Sequence, residues 1–343
     1  MYRNFLFLIT IAFIGISCKV QTPPAQTTQG APFGVNLAGA EFGKIDSKEY
    51  WYPTADDLDY FKSKGFTLYR LPFKWERIQP VMNEPLDANE LANMRAFVDA
   101  AQERDLLVIL DMHNYGRRHI NGTRQIIGSP GLSIADIADA WKRLAEEFKD
   151  YDNIWAYGIM NEPHDMLDST PWFDIAQGII TSIREVDPKT AIAVGGDSWS
   201  SAARWMSFSD NLKHLEDPAN NLIFEAHAYV DNDASGLYKN SYEEEKTTLT
   251  TGVDRLRPFV TWLKENNFKG FIGEYGVPDN DPQWLPVLDA MMAYMQENGV
   301  NGTYWAAGPH WGKYKLSVQP RNGEDRPQMA VLEKYLYANP SQP

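Results

Sequence analysis

The sequence predicts a single-domain α/β fold, a (β/α)8 barrel, and three observations carry that expectation. Short runs rich in β-branched and aromatic residues alternate eight times with segments of helical period. Strand gives way to helix before each next strand, the order that yields parallel strands joined by crossover helices. The 343 residues also suit one large barrel with insertions, a fold that runs to roughly 250 residues or more.

The predicted strands are Phe33–Leu37, Thr67–Pro72, Leu106–Met112, Ile154–Met160, Ala191–Gly195, Asn221–Ala226, Gly270–Gly273 and Gly302–Trp305. Between them lie predicted helices over Ala55–Lys64, Ala88–Arg104, Ile134–Lys149, Pro171–Val186, Tyr242–Asn266, Gln283–Asn298 and Gln328–Tyr337, with a weaker one around Ala202–His214. Helix starts support this segmentation: Thr54, Ser133 and Asp281 each place a capping oxygen before a first turn. Gly65 and Asn298-Gly299 supply the residues that commonly end helices. An open doubly wound sheet is the competing architecture, and it would need a glycine-rich phosphate loop after its first strand. Gly34-Val35-Asn36-Leu37-Ala38-Gly39 is not that loop. No internal repeat and no second domain is visible.

Ahead of the barrel, residues 1–17 read as an export signal. Arg3 supplies the positive charge, and Phe5 to Ile16 form an apolar run too short to span a bilayer. The chain's single cysteine, Cys18, follows Gly15-Ile16-Ser17, a context that looks like a bacterial lipobox. Cys18 is therefore the expected lipidation site of a membrane-anchored, exported lipoprotein, since a lone thiol in an exported chain is otherwise unexplained. Residues 18–31 are rich in Pro, Thr and Gln and poor in apolar side chains, the composition of a flexible tether. The catalytic domain is expected over residues 32–343, working as a monomer and touching a membrane only through the lipid.

The formal net charge is −14, and removing residues 1–17 would take away only Arg3 among charged groups. Such a surface repels phosphate backbones, so nucleic acid is excluded as a partner and a neutral ligand is favoured. Aromatic residues make up 13% of the chain, with 11 Trp and 17 Tyr. Many must be core, but indoles near strand ends are also flat apolar platforms for sugar rings.

Polar residues gather at the predicted C-terminal strand ends, which in a closed barrel converge on one rim. They include Asn36, Arg70, Asp111, His113, Asn161, Glu162, Asp197, Trp199, His227, Tyr229, Glu274 and Trp305. Glu162 and Glu274 stand out, because each closes a strand-like run and would be rigidly held yet reach the mouth. A pair of carboxylates suggests an acid and a nucleophile. A metal reading of Asp111, His113, His164 and His227 lacks any His-x-His or His-Glu-x-x-His spacing, so neither metal nor cofactor is expected.

Six segments in order and spacing resemble glycoside hydrolase family 5, most closely its endo-β-1,4-glucanases. They are Leu68-Tyr69-Arg70-Leu71-Pro72, Leu110-Asp111-Met112-His113-Asn114-Tyr115, Gly158 to Asp165 around Asn161-Glu162-Pro163, Phe224-Glu225-Ala226-His227-Ala228-Tyr229, Ile272-Gly273-Glu274 and Tyr304-Trp305. The resemblance implies a retaining mechanism with Glu162 as acid/base and Glu274 as nucleophile, their carboxyl groups about 5 to 5.5 Å apart. It further implies that Arg70 and Tyr229 hydrogen-bond the nucleophile, that Asn161 meets the sugar 2-hydroxyl, and that His113 and His227 contact sugar and acid. Trp305 would lie under the ring being cleaved. Asn36 and Trp199 complete the expected substrate-binding set, and Trp75, Tyr115 and Trp311 are further candidate platforms beyond the strand ends. The implied partner is a β-glucan. Hydrolysis of mannan, xyloglucan or xylan, and glycan capture without turnover, are the alternatives, because the aromatic, basic stretch Ala306 to Tyr314 has no place in the glucanase pattern.

Overall fold

The computed structural model describes residues 33–45, 47 and 49–336. The expected signal peptide, Cys18 and the tether lie outside them, as does Tyr337 at the predicted end of the last helix. In chain order the elements are β1 (Gly34–Leu37), α1 (Ala55–Ser63), β2 (Leu68–Phe73), α2 (Trp75–Ile78), α3 (Ala88–Gln102), β3 (Leu107–Met112), β4 (Arg117–Ile120), β5 (Thr123–Ile126), α4 (Ile134–Phe148), β6 (Ile154–Gly158), α5 (Trp172–Arg184) and β7 (Ile192–Gly195). There follow α6 (Asp197–Ser200), α7 (Trp205–Phe208), β8 (Leu222–His227), α8 (Thr251–Asn266), β9 (Lys269–Tyr275), α9 (Trp284–Glu297), β10 (Asn301–Ala307) and α10 (Met329–Leu336).

Eight of the strands form a closed parallel barrel in the order β1-β10-β9-β8-β7-β6-β3-β2, as the alternation predicts. Thr54 and Ser133 both make capping boxes, with Asp57 and Asp136. Gly65, with φ of 97°, turns the chain after α1.

Two expectations are corrected, and one element is added. The helix predicted from Tyr242 begins only at Thr251, because Glu245 folds back to accept from the Asn232 and Asn240 amides at 2.7 and 2.9 Å and holds that stretch as a loop. The Ala202–His214 helix is broken into α7 between two 3₁₀ turns, Ala202–Arg204 and Asp210–His214. The added element is the antiparallel hairpin β4–β5, where Asn121-Gly122 at the tip takes positive φ at both positions (50° and 77°), the two-residue turn this dipeptide favours.

Alternation along the strands sorts the barrel interior into layers. Leu68, Ile109, Ala156, Ala193, Ile223 and Phe271 pack together as the lowest layer. Two positions further on stand Arg70, Asp111, Gly158, Gly195, Glu225 and Gly273, all buried. This middle layer is charged, and its glycines leave the room that the charged side chains fill. A Cβ on Gly273 would lie 1.9 Å from a Glu225 oxygen. Outside, the helices wrap an apolar core, and two of them donate inward: the Trp141 indole to the Ile159 carbonyl at 2.9 Å and the Trp172 indole to the Gly195 carbonyl at 2.7 Å.

Candidate active site

Glu274 sits on β9 at an irregularity. The pairing register shifts on both sides of it, against β8 between Ala226 and His227 and against β10 between Gly302 and Tyr304. Such a slip re-aims a side chain, and Glu274 meets three donors: Tyr229 Oη at 2.7 Å, Arg70 Nη1 at 3.3 Å and His227 Nδ1 at 3.6 Å. Burial pushes its carboxyl up, and the neighbouring Glu162 adds to that, while His227, Arg70 and the Tyr229 hydroxyl pull it down.

Glu162 stands on the turn after β6, in left-handed backbone with φ of 44°. Its side chain is 16% exposed against 6% for Glu274, and its Oε1 lies 2.7 Å from His227 Nδ1. Oxygens of Glu162 and Glu274 and a nitrogen of His227 all lie within 4.8 Å of one another. Two carboxylates and an imidazole at that spacing could in principle hold a cation. His227, however, faces carboxylates on every side; although burial opposes its charge, Glu274, Glu162 and Glu225 outweigh that and raise it to about 10. A doubly protonated ring has no lone pair for a metal, and its own charge fills that place.

Beneath the pair, Arg70 is wholly buried and clasps the middle layer. Nη2 reaches Asn161 Oδ1 at 2.7 Å, Glu225 at 2.9 Å and Asp111 at 3.0 Å, while Nη1 reaches Asn36 Oδ1 at 2.9 Å. Asn36 donates to the Gly273, Thr303 and Tyr304 carbonyls at 2.9 to 3.2 Å. The sequence grouped Asn36 and Arg70 with substrate-binding residues. Both are sealed from the cleft at 0% exposure: Asn36 ties β1 to β9 and β10, and Arg70 pairs the buried carboxylates, among them Glu274, the contact the resemblance implies for it.

His113 contrasts with His227. Burial, with Lys74, Arg70 and His227 nearby, holds it well below the usual histidine range. The neutral ring is oriented by Asp111 at Nδ1 (2.8 Å), leaving Nε2 to the Tyr115 hydroxyl (3.0 Å) and the Asn161 amide (3.3 Å). Trp305 stacks against it at 5.4 Å and 11°.

The walls come from loops. A cavity of about 840 Å³ beside Glu162 is lined by His164, Trp199, Arg204 and Tyr229, and a second of about 750 Å³ by Glu41, Lys74 and Glu76. Tyr115 and Arg124 line both. Trp199 is 40% exposed, backed by His164 stacked at 4.3 Å. Trp75, a candidate platform, is fully buried and donates to Gln79, so it belongs to the core. Trp311 packs between Phe42 and Tyr314, and His310 in the same loop stacks on Trp51 at 3.6 Å. The sequence reading missed Arg124, Glu225 and Trp51. A hairpin signal at Asn121-Gly122 would have brought out Arg124, and Glu225-x-His227 is the spacing that puts two side chains on one strand face.

The Cellulase (glycosyl hydrolase family 5) model matches residues 27–310. Endo-beta-1,4-glucanase B of Emericella nidulans is 34% identical over 313 residues, covering 89% of this chain and 91% of that one. Among solved structures, Pseudomonas stutzeri endoglucanase Cel5A in complex with cellobiose superposes with a TM-score of 0.85 at 40% identity, covering 91% of this chain and 94% of that chain. The endo-beta-1,4-glucanase Xac0029 from Xanthomonas axonopodis pv. citri gives 0.80 at 36% identity, covering 89% and 98%.

Proposed function

The chain belongs to glycosyl hydrolase family 5 and is a glycoside hydrolase, and from that premise we propose that it cleaves internal β-1,4 linkages of glucan with retention of configuration. One observation carries the mechanism: the carboxyl oxygens of Glu162 and Glu274 come within 4.8 Å. That spacing supports direct attack by one carboxylate, whereas inverting enzymes separate theirs by about 6.5 to 9.5 Å to admit a water.

In this reading Glu274, braced by Arg70 and Tyr229, attacks the anomeric carbon as Glu162 gives its proton to the leaving oxygen. The glycosyl–Glu274 ester is then hydrolysed by water whose proton returns to Glu162. Asn161, held between Arg70 and His113, presents its amide to the 2-hydroxyl of the same ring, and Trp305 supports that ring from below. Trp199 offers a face to the leaving portion of the chain, in the cavity that Glu162 also lines.

Reducing-sugar release from a panel of glucan, xyloglucan, mannan and xylan tests the substrate, and NMR of the first-formed anomer tests the stereochemistry. Release from mannan or xylan alone would overturn the glucan assignment, an α-product would overturn retention, and binding without release from any would make this a glycan-capturing protein. Undiminished activity in excess EDTA is expected.

We also propose export and lipid anchoring at Cys18, on the strength of Arg3, the Phe5 to Ile16 run and the small residues before the cysteine. Incorporation of labelled fatty acid that disappears in Cys18→Ala is the test, and size-exclusion chromatography tests the expected monomer.

A further inference from the structure

We propose that Glu225, which touches no substrate, is a positioning residue that keeps a proton on each ring nitrogen of His227, so that an Nδ1–H always faces the oxygen of Glu162. The inference rests on the assignment of Glu162 as acid/base.

The argument starts from the strand. Glu225 and His227 are two apart on β8 and share its inward face. Glu225 is 1% exposed, and its Oε1 lies 2.9 Å from Arg70 Nη2 and 3.2 Å from His227 Nε2. Arginine stays charged in any protein setting. Burial raises the Glu225 carboxyl, but Arg70 and His227 together hold it below its usual range, so Glu225 is an acceptor. The proton between Glu225 and His227 therefore belongs to Nε2. On the other edge of the ring, Nδ1 lies 2.7 Å from Glu162 Oε1 and 3.6 Å from Glu274 Oε2.

A neutral imidazole has one N–H and one lone pair. With Nε2–H given to Glu225, a neutral ring would turn its lone pair on Glu162 and compete for the proton that the acid must hold, whereas the imidazolium donates at both edges. The groups facing the ring are Glu162 from the turn after β6, Glu225 from its own strand and Glu274 from β9. Asp111, Arg70 and His113 stand further off. Gly273 is the structural companion of this arrangement, since any side chain there would occupy the place of the Glu225 carboxylate.

The chemical consequence is specific. When Glu162 releases its proton to the leaving oxygen, the carboxylate that results already has a donor in place. When water is activated in the second step, Glu162 takes one proton back, and His227 keeps both of its own throughout. The imidazolium also lies 3.6 Å from Glu274, so its charge favours the anionic form of the nucleophile.

Glu225→Gln removes the anion and keeps the shape. In wild type, ¹⁵N spectra of histidine-labelled protein, with His227 identified by its loss in His227→Gln, are expected to show both ring nitrogens protonated at pH 7. In Glu225→Gln one of them should lose its proton within the neutral range. The basic limb of the kcat/KM profile, which falls where His227 has lost its charge, should then move to higher pH by roughly one unit, while the acidic limb, below the range in which the ring titrates, stays where it is. A merely structural Glu225 would lower activity with the limbs unmoved, and that outcome, or a His227 found neutral in wild type, would overturn the proposal. If Glu225→Gln does not fold, the wild-type spectrum still decides and Glu225→Asp, which keeps the charge, should leave the limbs in place. The spectra need no turnover, so failure to hydrolyse glucan would count against the assigned activity and leave the proton count standing on its own.

Discussion

The floor of the cleft and its walls are built on opposite principles. The floor is borne by strands, is almost sealed from water and is dense in charge: Arg70 forms ion pairs with Asp111, Glu225 and Glu274 that cross the barrel from β2 to β9. The walls are borne by loops and the β4–β5 hairpin, are partly exposed, and present rings and cations such as Trp199 and Arg124, the latter over the Tyr115 ring. A charge on the floor has no water to fall back on, so its geometry is fixed by its partners. A ring on the wall is held by a stack such as that on His164 and can be lost without exposing a buried charge. Altering the floor should therefore change the chemical step or the fold, and altering the walls should change affinity.

The largest effects should come from the two carboxylates where floor meets wall. Glu274→Gln and Glu162→Gln should each lower kcat by at least about a thousand-fold while far-UV circular dichroism stays native, because acid–base and nucleophilic roles have no substitute nearby. Arg70→Met should come next. It leaves Asp111, Glu225 and Glu274 without their shared cation, and breaking a buried ionic cluster costs about 3–5 kcal/mol, readable by denaturant unfolding. A stability close to wild type would show that water enters the floor, and the contrast with the walls would fail.

A smaller effect is a pH dependence confined to the floor. His227 is raised from 6.5 to about 10, so its contribution to stability is fully present below about pH 6.5 and is lost as pH rises through 10. The melting temperature of wild type should fall between pH 7 and 10 by more than that of His227→Gln. Equal slopes would mean that the ring is not charged in the fold.

The walls give the smallest changes. Trp199→Ala should raise KM for cello-oligosaccharides roughly fivefold with kcat nearly unchanged, the signature of lost uniform binding. Arg124→Ala should do the same more weakly, with a larger effect on oligosaccharides long enough to occupy both cavities that Arg124 lines.

The same contrast explains what could be read from the sequence. Floor residues lie on strands or within a few positions of a strand end, where a period of two and short apolar runs fix their direction, so the sequence brings Glu162, Glu274, His113, Asn161 and His227 to one rim. Asn36, expected in the substrate-binding set, lies one layer deeper, because alternation gives a face and not a depth, whereas Arg70 meets the nucleophile as the resemblance implies. Wall residues depend on loop paths. Trp75 and Trp199 have similar contexts, each shortly after a strand, yet one fills the core and the other faces the cleft. Nothing local separates them; the difference is set by α2 packing beneath Arg118 in one case and by the kinked backbone at Ser198 and Trp199 in the other. Partners set by the loop path, such as Glu245 folding back onto Asn232, likewise remove the first turns of a helix that propensity favours.

Two indoles link the outer shell to the mouth. Trp141 and Trp172 reach inward from α4 and α5 to carbonyls just before Glu162 and Trp199. Warming that loosens those helices also frees the rim they tether, so thermal inactivation should track the loss of tertiary structure, with no interval in which the molecule remains folded but idle.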